Sequence, residues 1–129
     1  MSRRSVPDDA GSAVVGFVLV SMLTTVVFLG VLQVALALHV RATLVDCAAE
    51  GARYGALADR TPADGAARAR ELVRLSLSPR FAEQVEGSRA VVDGLDVVRV
   101  EIVAPLPVLG LLGPGGAVEV DGHALAEVP

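Results

Sequence analysis

The 129-residue chain is 53% hydrophobic, with a mean hydropathy of +0.58, too apolar on average for an ordinary water-soluble domain of this size. Its 15 acidic residues outnumber 11 basic ones, for a net charge of −4, and this balance excludes nucleic acid as the main partner because phosphate binding needs a basic surface. Cys47 is the lone cysteine, which excludes a framework of intrachain disulfides.

The chain begins with a short polar leader, residues 1–11, which contains Arg3, Arg4, Asp8 and Asp9. From Ala13 to Leu38 no Asp, Glu, Lys, Arg or His occurs. A helix of that length reaches about 39 Å at about 1.5 Å per residue, more than the roughly 30 Å hydrocarbon core of a bilayer, so a transmembrane helix is expected over 12–38. A secretory signal peptide would take Arg3 and Arg4 as its basic start and Ala35-Leu36-Ala37 as its cleavage site. The apolar run is too long for that, since such signals use about 7 to 15 apolar residues. A twin-arginine signal is disfavoured by Pro7, Asp8 and Asp9, which stand where hydrophobic residues should begin. Charge does not set the orientation, because Arg3 and Arg4 are matched by Arg41 and Arg53 on the other flank.

The helical pattern continues past the apolar run. Between 39 and 58, Val40, Leu44, Cys47, Gly51, Tyr54 and Ala58 recur at steps of four and three, while Arg41, Asp46, Glu50 and Arg53 avoid that line. One helix is therefore expected from about Ser12 to about Leu57. Its packing seam serves either its own domain or a neighbouring subunit. Ala48, Ala49, Gly51, Ala52, Gly55 and Ala56 make this part thin, so a helix or sheet can pack close to its backbone. Cys47 is expected to be a buried thiol, with an intersubunit disulfide as the alternative.

A second helix is expected over 62–77, capped by Thr61, started by Pro62 and ended at Ser78-Pro79. Ala66, Ala69, Leu72, Val73 and Leu77 form its core stripe, with Arg68, Arg70, Glu71 and Arg74 largely outside. Beyond residue 88 the period becomes two. Val98, Val100 and Ile102 alternate with Arg99 and Glu101, and Val118, Val120, Gly122 and Ala124 alternate with Glu119, Asp121 and His123. Strands are expected over about 89–104 and 117–128, with Ala90 to Val92 adding a third before the Asp93-Gly94 turn. The Pro- and Gly-rich stretch 104–117 excludes a regular element. Its Leu106, Leu109, Leu111 and Leu112 form a candidate contact loop that either folds under the sheet or meets a partner.

No catalytic, cofactor-binding or metal-ligating pattern is recognisable. His39 and His123 lie far apart and lack neighbours at ligand spacing, and no phosphate-binding glycine loop or nucleophile elbow occurs. The expectation is no cofactor and no enzyme.

The layout as a whole has a relative. Gly11-Ser12-Ala13-Val14-Val15, the apolar helix led by Phe17, the stretch Ala48-Ala49-Glu50-Gly51-Ala52-Arg53-Tyr54 and the strand leading into Pro105-Leu106-Pro107 together resemble the TadE-like minor pilins, or pseudopilins, of tight-adherence (Flp) pilus systems. Glu50, Gly51, Ala52, Arg53 and Tyr54 carry the most specific part. The resemblance implies a bitopic protein of the bacterial cell envelope, with its N-terminus in the cytoplasm and residues 39–129 forming an extracytoplasmic α+β head. It also implies cleavage by a prepilin peptidase after Gly11, with Ser12 as the new first residue, and partnership with pilin-like subunits or assembly-platform proteins. One position departs from the pattern: the fifth residue after the cut, commonly Glu in pilin-like families, is Gly16. Two functions stay open, a structural component of a pilus or its assembly apparatus, and an uncleaved single-pass anchor for a binding domain at the cell surface.

The expected fold is α+β: a long N-terminal helix, a second helix and a small antiparallel sheet. A head of this size without a disulfide is expected to be marginal when separated from the long helix.

Overall fold

The computed structural model describes residues 9–106 and 116–128. The fold is α+β. Helix α1 spans Asp9–Gly55 and helix α2 spans Pro62–Ser76, followed by a short 3₁₀ turn at Pro79–Ala82. Strands β1 (Gln84–Val92), β2 (Leu95–Pro105) and β3 (Ala117–Leu125) form an antiparallel sheet in the order β1-β2-β3.

The chain divides into two units, the first ending at Ala35 and the second beginning at Leu36. In the first, α1 is long and apolar enough to cross a bilayer, with an 18-residue stretch of mean hydropathy 2.5 of which none is buried. Every large apolar side chain from Val14 to Val34 is 48–74% exposed, so none of them is covered by another of the described residues. Thr24 and Thr25 turn their hydroxyls back to the carbonyls of Val20 and Ser21, each at 2.8 Å. The segment therefore presents little hydrogen-bonding demand to apolar surroundings.

The second unit is a two-layer head, with the last turns of α1 and all of α2 covering one face of the sheet. Val40, Leu44, Cys47, Ala48 and Ala52 of α1 join Ala66, Ala69 and Val73 of α2, and Val85, Val100, Ile102, Ala104, Val118 and Val120 of the sheet, in one core. Leu36 and Leu106 pack against its margin. Each of the fully buried Leu44, Val73, Val98, Val100 and Ile102 contributes roughly 1.5–3 kcal/mol by leaving water.

α1 stops at Gly55, two residues short of the sequence expectation, and Ala58, the last seam position, is exposed beyond it. The segment after β3 meets that helix end: the Glu127 amide donates to the Ala56 carbonyl at 2.8 Å, and the Glu127 carboxylate accepts from the Ala58 amide at 3.3 Å. α2 carries a reciprocal cap, in which the Asp64 amide donates to Thr61 Oγ1 at 3.2 Å and the Thr61 amide donates to Asp64 Oδ2 at 2.9 Å.

β1 is longer than the alternation predicts, beginning at Gln84 rather than near residue 89. Val85, Gly87, Arg89 and Val91 share one face, opposite Ile102, Val100, Val98 and Asp96, but only Val85 is buried and Gly87 half-buried, while Arg89 and Val91 are exposed. Glycine in place of an apolar side chain at 87, and the departure of this face from the core at Arg89 and Val91, remove the apolar rhythm. β3 ends at Leu125, so Ala126 and Val128 continue the alternation without belonging to the strand. The β1–β2 connection is a two-residue turn with positive φ at Asp93 (52°) and Gly94 (79°), the backbone that a twisted hairpin requires.

Candidate functional site

The expected processing bond lies at the start of α1. Gly11 and Ser12 sit in the helix close to its first residue, Asp9, where the leading amides have no intrahelical acceptor. A Cβ added at Gly11, Gly16 or Gly30 would meet nothing within 4 Å. Among the described residues these glycines therefore serve no packing need, and their space is available to lipid or to another helix.

The seam residues lie in the head. Val40, Leu44, Cys47 and Gly51 are buried and Tyr54 is half-buried. Gly51 and Gly55 of α1 face Gly65 and Ala69 of α2. A Cβ at Gly51 would fall 2.6 Å from Ala69 Cβ and 2.7 Å from the Gly65 carbonyl oxygen, and one at Gly55 would lie 3.0 Å from Gly65 Cα. Backbone packs on backbone, an approach that only small residues permit.

The five-residue motif divides its work along this contact. Gly51 and Ala52 are buried, with Ala52 fully so. Glu50 and Arg53 pair at 3.3 Å on the exposed side, an interaction of little energetic weight in water. Tyr54 receives the Arg60 guanidinium 4.8 Å from its ring centre. The motif is thus the place where a helix narrows to admit a neighbour, edged by polar contacts.

Cys47 is buried between α1 and α2, beside a groove lined by Thr43, Asp46, Glu50, Leu72 and Ser76. Burial pushes its thiol up from the ordinary value, against the opposing effect of a hydrogen bond with Ser76. A neutral thiol out of solvent is a packing group rather than a nucleophile.

Sequence reasoning missed two close approaches and one hydrogen bond between elements. A Cβ at Gly87 would run into the Pro62 carbonyl at the start of α2, and one at Gly122 would run into the Ala48–Ala49 backbone of α1. Both glycines lie opposite Val100 in the register, so the two helices land on two glycines of a single cross-strand row. An isolated glycine within a strand pattern is the signal that finds such sites. Arg70, expected outside, is half-buried and donates from Nη2 to the Val85 carbonyl at 3.0 Å, tying α2 to β1.

The other face of the sheet is polar at its centre. Arg99 reaches Glu101 at 3.3 Å and Asp121 at 3.5 Å, and His123 Nδ1 lies 3.2 Å from Asp121. Glu86, Glu101 and Asp121 share one cross-strand row, and Arg99 is the cation set against them. Among the described residues no group of three or more His, Cys, Asp or Glu is placed to hold a metal ion. Leu106 of the contact loop is half-buried, its amide donating to the Gly116 carbonyl at 2.8 Å. Leu109, Leu111 and Leu112 lie outside the described residues.

Comparison with curated proteins and with solved structures yields no match. Residues 11–53, the segment that carries the apolar helix and Gly51 of the glycine contact, are similar to the model of the family described as TadE-like protein.

Proposed function

We propose that this chain is a pilin-like structural component of a tight-adherence pilus or of its assembly apparatus, acting by helix packing in membrane or fibre. The observation that carries the reading is the first part of α1, apolar and exposed around its whole circumference from Val14 to Val34, within the segment that matches the TadE-like family. Such a helix exchanges lipid for neighbouring helices with little change in solvation, so packing decides where it resides. In this reading residues 1–11 are a cytoplasmic leader removed after Gly11 by a prepilin peptidase. Residues 12–38 are the span, and 39–129 form the extracytoplasmic head. The partners are pilin-like subunits or platform proteins, and the chain has no catalytic role.

Gly16 supports a specialised position. An acid at that site in pilin-like chains neutralises a neighbour's new amino group inside the fibre, which offsets the cost of burying either charge. A chain without the acid suits a fibre tip or an assembly complex, where no neighbour needs it. Gly16→Glu is expected to raise incorporation into purified pili, and unchanged stoichiometry would count against this placement. The same residue favours the second reading, an uncleaved anchor for a surface-binding domain.

The deciding experiment is the N-terminal sequence and intact mass of the protein extracted from native membranes, with co-purification of a major pilin or platform protein. A chain starting at Ser12 with a pilus partner is the expected result. A chain starting at residue 1 or 2 without one would establish the anchor instead.

A further inference from the structure

We draw no further inference here: the strongest candidate, the exposed apolar patch that the β1–β2 turn creates from Val92, Leu95 and Leu125 on the outer face of the sheet, carries nothing because nothing in the structure shows what covers it.

Discussion

Gly51 and Gly30 are both glycines in the interior of one helix, yet their surroundings demand opposite outcomes on substitution. Gly51→Ala places a methyl against Ala69 and the Gly65 carbonyl, and overpacking of this kind costs about 1–3 kcal/mol. The melting temperature of the head, measured on the full chain in detergent, is expected to fall by several degrees. Gly30→Ala meets open space and should leave that temperature unchanged; equal effects from both would remove the close-packing account. Cys47 makes a second test at this scale. Because burial raises its thiol pKa, alkylation at pH 8 is expected to proceed no faster than the head opens and to become rapid in denaturant. Fast labelling of the folded protein would place the thiol at the surface.

The elements differ in how openly the sequence announces them. α1 and α2 were legible from apolar spacing, and α2 also from Thr61, Pro62 and Asp64 at its start. The strength of that start is testable. Thr61→Ala removes the hydroxyl acceptor and should cost about 1 kcal/mol of head stability, as cap losses generally do. Asp64 adds a pH dependence. The Thr61 backbone hydrogen bond is the main cause that holds its carboxyl below the usual value. Its contribution is therefore complete above the unfolded carboxylate pKa of about 3.9 and is lost as the pH falls through the lower folded value. Thermal unfolding followed from pH 5 to pH 2 should show this loss, and Asp64→Asn should abolish its share. β1 was only partly legible, because Gly87 is shaped by the Pro62 carbonyl, a neighbour 25 positions away that no local pattern reports. Arg70 escaped for the same reason: its acceptor, the Val85 carbonyl, belongs to another element.

For the molecule as a whole, the apolar run and the head do not part where composition suggests. The uncharged stretch ends at Leu38, whereas Leu36 already packs against the head's core and the second unit begins there. Residues 13–35 remain as the apolar helix of the first unit, about 35 Å at 1.5 Å per residue, close to the roughly 30 Å of a bilayer core. A fragment that starts at Leu36 keeps Val40, Leu44, Cys47, Ala48 and Ala52, so it is expected to give a cooperative unfolding transition. One that starts at Ala56 loses all five and should show none. Circular dichroism on the two fragments checks this, and a folded product from the shorter one would show that the sheet and α2 suffice alone. Of the candidate site, composition and spacing exposed the parts that lie along α1; contacts made by side chains and backbones distant in sequence were beyond their reach.

The row formed by Gly87, Val100 and Gly122 bears on how the head carries load. Ala48–Ala49 of α1 seats over Gly122 and Pro62 of α2 seats over Gly87, so these contacts act as mechanical keys that resist sliding of either helix across the sheet. A pull transmitted through the last turns of α1 enters β3 at its middle rather than at a free end.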